Sequence, residues 1–217
     1  MSSKPLQVDR TARRRGLMLV ISSPSGAGKS TLSRRLMAED RAVSLSVSAT
    51  TRAPRPDEQD GVHYHFLEKA QFEEMISAGG FLEWAQVFDH YYGSPRADTE
   101  MKIMAGTDVI FDVDWQGADA LHDQMPNDVV SIFVLPPSIA ALEARLMARP
   151  GSTPEGVARR MRDARREISH WRRYDYCIVN DDLDAAFLEL QTILAAERLK
   201  RLRRHDLEPL VRILLKE

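Results

Sequence analysis

Nine residues, Ser23-Pro24-Ser25-Gly26-Ala27-Gly28-Lys29-Ser30-Thr31, combine the types and spacing needed to hold a chain of phosphates. Gly26 and Gly28 let the backbone bend so that several N–H groups point inward at a helix start, where the peptide dipoles leave positive charge. Lys29 supplies a mobile point charge for the β- and γ-phosphates, and Ser30 offers a hydroxyl to Mg²⁺. The run departs from the G-x-x-x-x-G-K-[ST] pattern at its first position, where Ser23 replaces glycine. A small residue fits there. A plain Gly/Ser turn would not require Gly-Lys-Ser in register with a helix start.

Such a loop needs a strand before it and a helix after it. Leu17 to Ile21 is an apolar run that reads as a buried strand, and Leu32, Leu36 and Met37 mark one apolar helix face. Further apolar runs at 43–47, 108–113, 129–135 and 176–179 alternate with helical patterns near 97–105, 116–124, 138–148 and 157–170. Alternation of this kind predicts an α/β fold: a P-loop core with a mostly parallel sheet flanked by helices on both faces. Residues 48–95 break the pattern and predict an inserted, largely antiparallel subdomain with a helix around 68–78. In it, Val62-His63-Tyr64-His65-Phe66 alternates, which places His63 and His65 on one strand face. The stretch Arg149-Pro150-Gly151-Ser152-Thr153-Pro154-Glu155-Gly156 cannot lie inside a helix and predicts a mobile loop, part of a short lid over about 149–169. The core then comprises about 16–47, 96–148 and 170–217, with residues 1–15 as a flexible basic leader. A last helix spans roughly 184–203; its Leu183, Phe187, Leu190, Ile193 and Leu194 would pack on the core or on a second copy in a homo-oligomer.

At 217 residues the chain is long enough for one sizeable core, and its net charge of −2 argues against a dedicated nucleic-acid binder. Cys177 is the only cysteine, which excludes an intrachain disulfide; within Tyr176-Cys177-Ile178-Val179 it reads as a buried strand residue. The histidines show no metal-ligand spacing. Neither a membrane-spanning run nor a signal-peptide pattern is found, so a cytoplasmic protein is expected.

Four further pieces follow the phosphate loop: Ser48-Ala49-Thr50-Thr51-Arg52-Ala53-Pro54-Arg55, Gly61-Val62-His63-Tyr64-His65-Phe66, Phe81-Leu82-Glu83-Trp84-Ala85-Gln86 and Tyr91-Tyr92-Gly93-Ser94. Together with Asp112-Val113-Asp114-Trp115-Gln116-Gly117, Tyr174-Asp175-Tyr176 and Asn180-Asp181-Asp182, this order resembles the guanylate kinase family over about residues 17–185. The resemblance implies phosphoryl transfer from ATP to GMP, and to dGMP, with Mg²⁺.

It also implies roles for particular residues, and their chemistry is consistent with those roles. Arg52 and Arg55 flank a proline that stiffens the loop, so their guanidinium forks could clamp one phosphate, aided by the Tyr64 and Tyr92 hydroxyls. By resemblance these four bind the GMP phosphate. Glu83 matches the family's guanine-reading carboxylate, which accepts from N1–H and N2–H₂ but meets adenine N1 with like polarity; on spacing alone it is equally a surface residue. Ser48, Ser94 and Asp114 match the family's other base contacts. Asp112 ends an apolar strand and either orders Mg²⁺ waters or bridges toward the acceptor. Arg145, Arg149 and Arg160 match the family's arginines on the ATP phosphates; Arg145 and Arg149, four apart, would share a helix face, and all three would converge as the lid closes. Asn180 falls where the family contacts adenine. No general base is evident, and a phosphate nucleophile with a second pKa of about 6 needs none.

Particular residues separate this reading from three rival functions. A scaffold domain of the same fold would lack the phosphate-loop residues, yet Lys29 and Ser30 are both here. A P-loop kinase for a sugar phosphate would have no use for the Glu83–Ser94 segment. A nucleic-acid binder would rest on the basic termini and show steep salt dependence.

Overall fold

The structure, a computed structural model, describes residues 14–216. In chain order its elements are β1 (Met18–Ser22), α1 (Lys29–Glu39), β2 (Val43–Leu45), β3 (Ala49–Thr50), β4 (His65–Phe66), α2 (Lys69–Ser77), β5 (Phe81–Val87), β6 (His90–Pro95), α3 (Arg96–Met104), β7 (Asp108–Phe111), α4 (Trp115–Gln124), β8 (Val129–Leu135), α5 (Ile139–Met147), α6 (Pro154–Ser169), β9 (Tyr176–Val179), α7 (Leu183–Arg198) and α8 (Leu207–Leu214).

Five strands form one sheet in the order β2-β7-β1-β8-β9, and every neighbouring pair is parallel. β1 is buried along its whole length. Its alternation sends Leu17, Leu19 and Ile21 to one face, against Leu32 and Leu36 of α1 and Phe187, Leu190 and Leu194 of α7. Met18 and Val20 face the other side, against Ile103 of α3 and Ala118 and Leu121 of α4. A strand buried on both faces must be apolar throughout, which is why 17–21 reads as a continuous run. The order of strands reverses at β1, so its carboxyl end opens at the switch point where ligands of such sheets bind.

The insert carries its own sheet, β4-β3-β6-β5, and its own small core, in which Phe72 of α2 stacks on Phe81 at 4.3 Å. This sheet is mixed: β3 pairs with β6 antiparallel but with β4 parallel. β4 is only two residues long, so His63 and His65 do not share a strand face; the His63 Nδ1 instead accepts from the Gln59 N–H at 3.0 Å.

Other expectations are corrected at their edges. β2 and β7 end earlier than the apolar runs, at Leu45 and Phe111. Pro154 opens α6, where its missing N–H costs nothing, so Glu155 and Gly156 belong to a first helical turn. The expected 184–203 helix stops at Arg198, and α8 follows after a short turn. Phe187, Leu190 and Leu194 are in the core, so the face considered for a second copy is used within the chain. Cys177 is exposed, because β9 is the edge of the sheet. Among the described residues no helix is long and apolar enough to cross a membrane.

The expected leader of residues 1–15 is corrected only at its last two residues. Residues 1–13 lie outside the described residues, and Arg14 and Arg15 are anchored. Arg14 donates through both terminal nitrogens to Asp108 at 2.6 Å, and Arg15 donates to Asp128 at 2.6 and 2.7 Å. The Asp108 side chain is wholly buried. It also accepts from the Leu17 N–H at 3.0 Å and from Arg198 Nε at 2.7 Å, tying β1, β7 and α7 together below the site. Replacing Asp108 takes the carboxylate partner from Arg14 and leaves Arg198 with Asp40 alone. We therefore expect Asp108→Asn to cost about 3–5 kcal/mol and to lower Tm on the order of 10 °C, readable by thermal and urea unfolding.

Candidate nucleotide site

The phosphate loop runs from the end of β1 to the start of α1. Gly28, at the N-terminal end of α1, has a φ of 108°, in the left-handed region that glycine tolerates. Ser23 does not need that freedom: Phe88 is the only non-glycine residue with positive φ among the described residues. The departure from glycine at the first motif position is thereby explained. α1 has no side-chain cap and no acidic residue in its first turn, whereas α4, α5, α6 and α7 are each capped by a side chain. Its first N–H groups are left for an anion.

Two clefts meet at this loop. One, of about 540 Å³, is lined by Ser23, Pro24, Ser25, Gly26, Gly28, Lys29, Ser30 and Thr31, with Arg34, Asp112 and Arg149. The other, of about 230 Å³, takes Ser23, Ser25, Lys29 and Asp112 as a shared wall and adds Val113, Asp114, Arg160, Asp163, Ala164 and Glu167. Lys29 is ion-paired with Asp112, just past the end of β7. Ala27 is fully buried behind the loop.

The arginines around α5 and α6 are not gathered on one cleft. α5 ends at Met147, so Arg149 lies in the following turn and does not share a helix face with Arg145. Arg149 reaches toward the Ser25 hydroxyl at 3.5 Å. Arg160 stands on the second cleft, and Arg145 donates to the backbone carbonyl of Asn180 at 2.9 Å. The Asn180 side chain is itself beneath the loop, donating to the Ala27 carbonyl at 2.7 Å.

A carboxylate and a hydroxyl are paired in the insert. Glu83 and Ser94 face each other across β5 and β6, and the Ser94 hydroxyl donates to Glu83 at 2.6 Å. Burial pushes the Glu83 carboxyl up from its ordinary pKa; the Ser94 hydrogen bond works against this and the Asp114 charge adds to it. Asp114 caps α4, its Oδ1 accepting from Gln116 and Gly117 at 3.0 Å. Ser48 precedes β3, and its carbonyl accepts from His65.

The third group is built on the loop after β3. The Arg52 guanidinium lies 5.5 Å from the Tyr64 ring, and the Tyr64 and Tyr92 rings are 6.1 Å apart. Arg52 donates to both Glu58 oxygens at 2.8 Å, and Glu58 also accepts the Arg55 N–H at 2.8 Å. The Arg55 N–H, with Arg52 behind it, holds the Glu58 carboxyl below the usual range. The Arg55 side chain is exposed.

Sequence reasoning missed three acidic residues of this region. Glu58 sits in a polar loop with no motif to flag it, although a spacing of three lets its carboxylate reach back to the Arg55 N–H, as the glutamate of a capping box does. Asp163 and Glu167 are spaced by four on α6 beside Arg160, which places them on one face, but the crowded arginines of that helix masked the pattern. Burial, with the Asp114 charge next, pushes the Glu167 carboxyl up.

Comparison with known proteins agrees with this geometry. The family model described as guanylate kinase matches residues 15–197. A guanylate kinase of Hyphomonas neptunium is 66% identical over 217 residues, covering 100% of both chains. One from Agrobacterium fabrum is 53% identical over 95% of this chain and 94% of its own. The crystal structure of guanylate kinase from Anaplasma phagocytophilum superposes with a TM-score of 0.67 at 37% identity, over 88% of this chain and 90% of that one. The matched residues run from the anchored Arg15 through α7 and take in every cleft just described, and the chain belongs to the guanylate kinase family.

Proposed function

We propose that this chain transfers the γ-phosphoryl group of ATP to GMP, and to dGMP, giving ADP and GDP or dGDP. The observation that carries the reading is the common wall: two clefts share Ser23, Ser25, Lys29 and Asp112, so two nucleotides bound in them would meet end to end. ATP takes the larger cleft, its phosphates on the uncapped α1 start, with Ser23 to Thr31 as the cradle. GMP takes the side bounded by Glu83, Ser94, Ser48 and Asp114. Its phosphate is held by Arg52, Arg55, Tyr64 and Tyr92.

The reaction follows from this placement. An oxygen of the GMP phosphate attacks the γ-phosphorus, and the bond to the β,γ-bridging oxygen breaks as ADP leaves. Lys29, Arg149 and Arg160 meet the charge that develops between the two nucleotides, and Arg145 supports them from below. Catalysis then rests on alignment and charge, with closure over the clefts excluding water. The residues on the larger cleft also fit Mg²⁺. The Ser30 hydroxyl and the half-exposed Asp112 carboxylate are hard oxygen donors, and among the described residues no cluster of three His, Cys, Asp or Glu would hold a metal without phosphate and water. Held by these oxygens, Mg²⁺ would supply charge neutralisation for the nucleotide phosphates. Such a reaction belongs in the cytoplasm, where both nucleotides are at hand.

The reading is tested by ADP release with Mg·ATP and a panel of GMP, dGMP, AMP, CMP, UMP and a sugar phosphate. Turnover is expected with GMP and dGMP alone. Turnover on the sugar phosphate would overturn the acceptor assignment. Lys29→Ala should lower kcat by at least about 100-fold with Tm unchanged, and substantial activity in that variant would overturn the phosphate-loop assignment.

A pH dependence also follows. Only the ionised Glu83 accepts from both guanine donors, so affinity is present above its pKa and is lost as pH falls through it. Because burial raises that pKa, KM for GMP should climb at a higher pH than for an exposed glutamate, while KM for ATP follows the same profile in Glu83→Gln as in the parent chain. Protonation of the GMP phosphate, with its pKa of about 6, contributes equally in Glu83→Gln. The difference between the two profiles isolates Glu83, and identical profiles would remove it from base reading.

A further inference from the structure

We propose that Asn180 is a positioning residue that sets the orientation of the phosphate-loop backbone from beneath, and that it does not read the nucleotide base. The proposal rests on the larger cleft being a nucleotide-phosphate site, but not on the identity of the acceptor.

Asn180 follows β9, where its N–H donates to the Leu135 carbonyl at 2.8 Å, so its backbone is fixed to the end of β8. Its residue exposure is only 5%, and it is absent from the lining of either cleft at the loop. An amide that reads a base must present its edge to that base. This one is turned the other way: Nδ2 donates to the Ala27 carbonyl at 2.7 Å, in a contact buried on both sides.

The consequence for the loop comes from peptide geometry. In a planar trans peptide the carbonyl and the next N–H point in opposite directions. Drawing the Ala27 carbonyl down onto Asn180 therefore turns the Gly28 N–H up, toward the cleft that Gly28 lines. A second observation supports the same contact. A Cβ built on Gly28 would lie 2.1 Å from Asn180 Nδ2, so the loop rests directly on this amide. The backbone carbonyl of Asn180 in turn accepts from Arg145 of α5 at 2.9 Å. One buried residue thus joins the loop to the helix that leads into Arg149.

The test compares the full chain with Asn180→Ala and with the near-isosteric Asn180→Asp, which sets a carboxylate against the Ala27 carbonyl. The probe is Mg·tripolyphosphate, which has no base, titrated calorimetrically beside Mg·ATP. Removing one orienting hydrogen bond should weaken both ligands by the same factor, about fivefold to tenfold for Asn180→Ala and more for Asn180→Asp. GMP affinity should be unchanged, which a general loss of folding would not allow. In turnover, the preference for ATP over GTP and CTP as donor should also be unchanged. Weaker ATP binding with tripolyphosphate unaffected would overturn the proposal in favour of base reading. Unchanged binding of both ligands in a folded variant would overturn it outright.

Discussion

Two nucleotides that react through their phosphates repel each other, and the rest of this structure is arranged around that repulsion. Unit charges 4 Å apart interact by about 4 kcal/mol at an effective dielectric constant of 20. Cations must therefore be in place before the anions meet, and cations gathered without anions repel one another as well. Two of the cations in the proposed reaction are held on carboxylates: Lys29 on Asp112, and Arg52 on Glu58.

The fold supplies the fixed points for this arrangement. β1 lies at the centre of the parallel sheet, buried on both faces, so the loop it carries starts from one of the most constrained positions in the molecule. Below, the Asp108 cluster ties the entry of β1 to β7 and α7. Above, the loop is held by Asn180 and ends on a helix whose first N–H groups have no side-chain partner. The insert stands on a separate small sheet with its own core, apart from the sheet that carries the phosphate loop. The shared wall of the two clefts is consistent with membership of the guanylate kinase family.

Much of this was legible in the chain. The continuous apolar run of β1 and the Gly-Lys-Ser register at the start of α1 are local signals, and they located the loop to within a residue. The positions of β8 and α1 were legible for the same reason, since a buried strand and an amphipathic helix show in consecutive residues, and β9 was legible as a short apolar run although it lies at the sheet edge. What stayed hidden depends on contacts across the fold. Cys177 has the sequence surroundings of a core residue, and only the edge position of β9 exposes it. Arg14 and Arg15 look like a solvated tail until Asp108 and Asp128, about a hundred residues later, are folded against them. Glu58 gives no signal until it is seen within reach of Arg52. The lid arginines were placed too simply, since spacing by four shares a face only inside a helix and α5 ends before Arg149.

The central claim is direct transfer between two aligned phosphates with water excluded. It is tested most directly with ATP labelled in its γ-phosphate, incubated with equimolar GMP and Mg²⁺ and resolved into products over a single turnover. The label should appear in the β-phosphate of GDP, matching the ADP formed, with inorganic phosphate at background. Label released as inorganic phosphate in step with ADP would contradict transfer to GMP and would leave the loop as the site of a hydrolase.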